Sequence, residues 1–233
     1  MAAALVRSAV DAPTARAWLA AIDAHPAWLR REGAGFDRYS SSLQVSAVPG
    51  LDIAAIAGTL LQCHAGPSCR AGLGGQPVVA IERCWVRRQY APDRAPPTHA
   101  PHAWHQDGAL CFDFLAAAGS PRVDMPLAMT TSWIALTACG DDAPGLELVV
   151  HDGGRLLGLD EITESAIRQR HAAADFWRPT MQAGDALVFD GGVLHRTHVT
   201  PAMRADRTSL EIRFFDAGRI DERLRDDHFI SVH

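Results

Sequence analysis

The chain of 233 residues contains no lysine; all 22 of its Lys+Arg positions are arginine. A side-chain Schiff base is thereby excluded. Any fixed cationic anchor for a carboxylate ligand has to be a guanidinium, whose planar fork suits a bidentate grip. Cysteine is sparse and odd in number, five in all (Cys63, Cys69, Cys84, Cys111 and Cys139), with no Cys-x-x-Cys pair. This spacing offers neither a zinc knuckle nor a disulfide framework, so a reducing, cytoplasmic location is expected. Long apolar runs are missing too. No stretch approaches the ~18 residues that a membrane helix needs, and Asp11 and Arg16 interrupt the N-terminal segment before a signal-peptide pattern forms. Nor is there an excess of positive charge: the formal net charge is -5, which gives no broad basic surface for nucleic acid or an anionic membrane.

What is present is globular: 48% apolar and 21% charged residues, at a length that suits one domain. The periodicity divides 1–233 into a helical N-terminal part (1–77), a β core (78–216) and a charged tail (217–233). Within the first part, residues 12–24 read as an amphipathic helix capped by Asp11, with Pro13 in its first turn. Residues 42–48 read as a short strand. Asp52 to Cys63 reads as a second helix, ended by Gly66-Pro67. In the core, strands are expected at 78–90, 105–112, 127–137, 146–150, 186–189 and 207–215, with one helix at 160–174 capped by Asp160. Residues 127–137 and 146–150 read as a hairpin with an extended loop. The proline-rich segment 91–103 cannot continue a sheet. Many short strands with few helices predict a mainly β fold with flanking helices. Two antiparallel sheets packed as a jelly roll would bring distant segments together in its mouth.

The chemistry concentrates in two segments. Trp104-His105-Gln106-Asp107-Gly108 places His105 and Asp107 two residues apart, and on an extended strand such residues share a face. About ninety residues on, Gly184-Asp185 opens a run that passes Phe189 and ends at His195. Two imidazoles and one carboxylate on one face of a metal form the facial triad of non-haem Fe(II) oxygenases, with the opposite positions open. Arg207 follows twelve residues after His195, at the start of a strand. By alternation Arg207, Ser209, Glu211 and Arg213 share one face of that strand. Arg204 and Arg213 compete with Arg207 as a carboxylate anchor, and His198 competes with His195 as a ligand. His99 and His102 precede His105 at a spacing of three, but Pro97 and Pro101 argue against a helix that would gather them.

His-x-Asp, then Gly-Asp-x-x-x-Phe ending in His, then Arg at a strand start resembles the phytanoyl-CoA dioxygenase-like family of iron(II)/2-oxoglutarate oxygenases over roughly residues 80–216. The resemblance implies a double-stranded β-helix (cupin-like) fold, with Fe(II) held by His105, Asp107 and His195. It implies 2-oxoglutarate as co-substrate, its distal carboxylate on Arg207, and dioxygen as oxidant. It also carries over Gln106 and Trp133 as co-substrate contacts and Thr197 as a hydroxyl near the distal carboxylate. The implied reaction is hydroxylation of a C–H bond in a small-molecule substrate, with release of succinate and carbon dioxide. Relatives that halogenate replace the carboxylate ligand by a small residue; Asp107 is retained, which favours oxygenation. A short chain for this family suggests a small substrate, such as a specialised metabolite or amino-acid derivative. Arg87 and Arg88 could meet an acidic substrate or sit as exposed strand-edge arginines. Two other readings compete: a cupin-like dioxygenase or isomerase that does not use 2-oxoglutarate, and a barrel that holds a small ligand without turnover.

Overall fold

The computed structural model describes residues 3–26, 41–95, 100–109, 126–150 and 155–232. In chain order its strands are β1 (Ala3–Val6), β2 (Ser41–Gln44), β3 (Pro77–Ala80), β4 (Trp85–Gln89), β5 (His105–Gln106), β6 (Met129–Ala135), β7 (Gly145–Val149), β8 (Phe176–Trp177), β9 (Ala186–Asp190), β10 (Leu194–His198), β11 (Arg207–Asp216) and β12 (Phe229–Ser231). The helices are α1 (Ala12–Asp23), α2 (Ile53–Gln62), α3 (Gly66–Ala71) and α4 (Glu164–Arg170). A large sheet runs β1-β9-β6-β11-β3-β12, with β4 also paired to β11 and β2 to β4. A small sheet runs β5-β10-β7-β8. All the pairings are antiparallel.

Alternation gives the large sheet two unlike faces. Val86, Ile134, Val188, Leu210 and Ile212 point outward into the main apolar core, where they meet Ile22 of α1 and Ile56 and Leu60 of α2. Helix α2 forms as its sequence dictates. Asp52 caps it by accepting from Ala54 and Ala55 N–H at 2.9 and 3.2 Å. Its buried residues Ile53, Ile56, Ala57, Leu60 and Leu61 fall on one stripe. Helix α1 likewise begins after Asp11, whose carboxylate accepts from Thr14 N–H at 2.7 Å. The opposite, inner face of the large sheet is polar. The β11 register sets Glu211 opposite Trp133 and Trp85, Arg213 opposite Thr131, and Ser209 opposite Arg87. No helix among the described residues is long and apolar enough to cross a membrane.

Several expected elements take a different form. The strand expected at 78–90 is broken into β3 and β4 by a 3-10 turn at Ile81–Arg83, because β3 and β4 pair with different lengths of the long β11. Strands 127–137 and 146–150 do not form a hairpin: β6 lies in the large sheet and β7 in the small one, so the turn between them carries the chain across the sandwich. Gly66-Pro67 does not end structure but opens α3, with Pro at its first turn. The helix expected at 160–174 is shorter and is capped by Thr163 rather than Asp160. The stretch 42–48 splits into β2 and a 3-10 turn at Val45–Ala47. The strand expected at 105–112 gives way to a 3-10 turn at Asp107–Ala109, and its remainder lies outside the described residues. The two end strands β1 and β12 had no counterpart in the sequence reading.

Gly184 shows why the Gly-Asp segment needs glycine. Its φ is +92°, and a Cβ there would meet Val10 O at 2.2 Å. Asp185 beside it binds Ser8 N–H and the Arg7 guanidinium, which fixes β1 onto the start of β9.

Candidate active site

Strand β10 lies between β5 and β7, and its register sets His195 directly opposite His105. The two ring centroids are 4.2 Å apart. Asp107 follows on the 3-10 turn, so the i, i+2 relation read from the sequence survives the end of the strand. That turn packs tightly on the approach to β10: Gly108 N–H donates to Gly191 O at 2.7 Å, and a Cβ on Gly108 would lie 2.7 Å from the same oxygen. Each imidazole is turned by a backbone carbonyl two residues upstream. His105 Nδ1 donates to Ala103 O at 2.8 Å, and His195 Nδ1 donates to Val193 O at 3.0 Å. A carbonyl can only accept, so each Nδ1 carries a proton and each Nε2 is the ring atom turned toward Asp107. Nε2 of His105 is 3.7 Å and Nε2 of His195 3.8 Å from Asp107 Oδ1. One ligand atom from each residue lies within 4.8 Å of the others.

Asp107 is buried, and its two oxygens are treated differently. Oδ2 accepts from Thr131 Oγ1 at 2.6 Å, and Oδ1 accepts from Arg213 Nη2 at 3.0 Å. Burial pushes the carboxyl up, but Arg213, the two histidines and Thr131 outweigh it and hold Asp107 well below the usual carboxylate range. His105 is pushed down to about 3, by burial first and by His195 second. A buried carboxylate oxygen and two imidazole Nε2 atoms converge on one point, where a cation could be shared by all three. Two imidazole nitrogens and one carboxylate suit a divalent first-row metal such as iron.

The same cavity is lined by Trp133, Thr197, Arg87, Glu211 and Arg207. Arg207 is 2% exposed, and its Nε and Nη1 find no hydrogen-bond partner among the described residues. Its guanidinium carbon stands 4.9 Å from the Trp133 ring centroid, a cation–π contact. Burial, the largest influence, lowers its pKa to about 10, so it stays charged at neutral pH. A buried guanidinium with free donors and no carboxylate of its own matches the carboxylate of a ligand. The competitors are otherwise engaged. Arg204 Nη1 closes its own turn on Pro201 O and Met203 O. Arg213 serves Asp107. His198 is an odd number of residues from His195 on β10, so it faces away, and it lies outside the cluster.

Gln106 departs from its expected role as a co-substrate contact. Alternation turns it away from its neighbours His105 and Asp107. Its Nε2 donates to Arg155 O and Gly192 O at 2.8 and 2.7 Å, and its Oε1 accepts from Leu157 N–H at 2.8 Å. It is a buried strap between β5 and the segment at 155–157. His102 lines the cavity with its ring centroid 5.3 Å from that of His105; His99 lies outside the described residues. Arg87 faces the cavity rather than an exposed edge, because β4 lies between β2 and β11. Arg88 points the other way and pairs with Asp23 of α1. Thr131 was missed by the sequence reading. The signal that could have found it is its phase: it lies two residues before Trp133, on the same face of β6.

The family model described as phytanoyl-CoA dioxygenase (PhyH) matches residues 3–205. No curated protein matches the sequence. Among solved structures the chain is similar to EctD from S. alaskensis with 2-oxoglutarate and 5-hydroxyectoine, at 14% identity over 94% of this chain and 73% of that one, with a TM-score of 0.66. It is also similar to AviO1 from Streptomyces viridochromogenes, at 18% identity over 94% and 92% of the two chains, with a TM-score of 0.62. A third is the non-haem alpha-ketoglutarate-dependent carbocyclase SnoK from nogalamycin biosynthesis, at 14% identity over 93% and 80%, with a TM-score of 0.59. At these identities the likeness establishes the fold, the jelly roll expected from the sequence.

Proposed function

The chain belongs to the phytanoyl-CoA dioxygenase family, and from that premise we propose that it hydroxylates a C–H bond of a small-molecule substrate at the site built by His105, Asp107 and His195. It is a non-haem iron oxygenase with 2-oxoglutarate as co-substrate. One observation carries the assignment of the site: a convergent His-Asp-His cluster opens on the same cavity as the buried, partnerless guanidinium of Arg207. His105, Asp107 and His195 would hold the iron, and Arg207 the distal carboxylate of 2-oxoglutarate. Iron, 2-oxoglutarate and dioxygen together supply the oxidising power, with succinate and carbon dioxide as co-products.

The chain's own residues set the conditions for that chemistry. Ala103 O and Val193 O fix the tautomer of each imidazole. Thr131 and Arg213 keep Asp107 ionised and oriented. Trp133 and Phe189 wall the cavity against water; the Phe189 ring centroid is 4.7 Å from that of His195. The retained Asp107 favours oxygenation over halogenation. The four described cysteines are unpaired, which supports a reducing, cytoplasmic setting.

Members of this fold include a carbocyclase and an epimerase, so the fate of the substrate is tested by mass. Turnover under 18O2 with a responding substrate should give succinate and a product that has gained one labelled oxygen. A product lighter by two hydrogens, or an isomer of unchanged mass, would replace hydroxylation by desaturation, ring closure or epimerisation.

A further inference from the structure

We propose that the substrate oxidised at this site carries one carboxylate, or an equivalent single negative charge, and that Arg87 receives it. The inference rests on the reading of the site given above. Arg87 stands opposite Ser209 and so projects from the inner face of the large sheet. Its side chain is 12% exposed and lines the cavity of the His-Asp-His cluster. Its Nε donates to Glu211 Oε1 at 2.7 Å, and its two terminal nitrogens donate to nothing further among the described residues. Glu211 in turn lies 3.5 Å from Arg213, which holds Asp107. One chain of alternating charge therefore runs from the cavity wall to the metal ligand.

The balance of fixed charges is the argument for an anion. Among the described residues around the cavity, three guanidiniums (Arg87, Arg207, Arg213) meet two carboxylates (Asp107, Glu211). One positive charge is left over. A divalent ion adds two, and the dianion 2-oxoglutarate removes two, so loading leaves the surplus in place. Surplus charge away from water is costly, and a substrate with one negative charge cancels it. Depth decides which arginine takes which ligand. Arg207 is almost wholly buried and has no carboxylate partner, which suits the co-substrate that enters first. Arg87 is less buried and already half neutralised by Glu211, which suits a group that arrives and leaves in each turnover. A free guanidinium edge also prefers a planar carboxylate to a spherical anion.

The test uses the full chain loaded anaerobically with Fe(II) and 2-oxoglutarate. It is titrated with a set of small monocarboxylic acids, aliphatic and aromatic, and with the amide of each. Binding is read from perturbation of the visible charge-transfer band and from the melting temperature. The acids should bind about tenfold or more tighter than their amides. Arg87→Gln removes the surplus positive charge, and Glu211 keeps its ion pair with Arg213 at 3.5 Å. The variant should lose the preference for acids while keeping its affinity for 2-oxoglutarate, and Arg87→Lys should restore part of the preference. Amides that bind as well as acids, or a panel in which no acid binds, would overturn the proposal. Loss of 2-oxoglutarate affinity in Arg87→Gln would overturn it too, by making Arg87 a co-substrate residue. Failure of the oxygenase reading itself is seen earlier, as absence of the band in the unaltered protein before any acid is added.

Discussion

Thr131 Oγ1 donates to Asp107 Oδ2 at 2.6 Å, and together with the bond from Arg213 to Oδ1 it sets which carboxylate oxygen faces the two histidines. With Oδ2 committed to β6, Oδ1 is left 3.7 and 3.8 Å from the imidazole Nε2 atoms. The hydroxyl would thus set the orientation of the carboxylate that holds the metal. Thr131→Val keeps the shape and removes the bond. It should weaken Mn(II) or Co(II) binding by about tenfold or more, the usual effect of losing an outer-shell partner, with little change in far-UV circular dichroism. An unchanged metal affinity would assign the orientation of Asp107 to Arg213 alone.

Arg207 should separate stability from binding. It is buried with two unpartnered guanidinium nitrogens, so it costs the unliganded fold stability. Arg207→Met should leave the melting temperature of the unliganded protein unchanged or raise it. The same variant should weaken 2-oxoglutarate binding by about thirtyfold or more, as loss of a buried charged partner does. Arg207→Lys should rescue little, since an ammonium lacks the fork.

Gln106 should do the opposite. Its three buried hydrogen bonds hold β5 to the 155–157 segment and to Gly192. Gln106→Ala should cost about 2 to 3 kcal/mol in urea unfolding, with no specific loss of 2-oxoglutarate affinity in the protein that remains folded. A selective loss of that affinity would return Gln106 to the co-substrate.

Glu147 gives the pH dependence. It pairs across the small sheet with Arg196 and accepts bonds from Arg168, Arg178 and Arg196. Burial pushes its carboxyl up, but Arg178, Arg168 and Arg196 hold it below the usual value. A depressed carboxylate contributes stability that is fully present above its unfolded pKa of about 4.3 and is lost as pH falls through the lower folded value. Glu147→Gln, which leaves the arginines facing a neutral amide, should therefore cost about 3 kcal/mol at pH 7. The gap between variant and wild type should close progressively below about pH 4. Urea melts at several pH values check the sign. Because Arg196 neighbours His195 on β10, the same variant should loosen the metal site.

The triad was legible because it needs only spacing and the alternation of strands: His105 and Asp107 at i and i+2, and His195 at the end of a Gly-Asp strand. Arg207 was legible as a strand start, but its choice over Arg204 and Arg213 needed burial. Arg204 folds back on its own turn, and Arg213 finds Asp107, a partner 106 positions away, which no local pattern can show. Gln106 points away from His105 and Asp107 because adjacency in sequence is opposition on a strand. The amphipathic helices α1 and α2 were readable from cap and stripe. The hairpin expected between β6 and β7 was not formed, because two apolar strands joined by a turn look alike whether they pair or part to opposite sheets. The edge strands β1 and β12 are short and lean on β9 and β3, so their pairing is set by partners far along the chain.

The most direct test is anaerobic Fe(II) titration with and without 2-oxoglutarate, following the weak visible charge-transfer band of the chelated complex. The band should appear only with both present, and it should vanish in His195→Ala, Asp107→Ala and, at limiting 2-oxoglutarate, Arg207→Met. Iron binding without a band would favour a cupin-like enzyme that does not use 2-oxoglutarate. No iron binding at all would contradict the assignment of His105, Asp107 and His195 as the metal site.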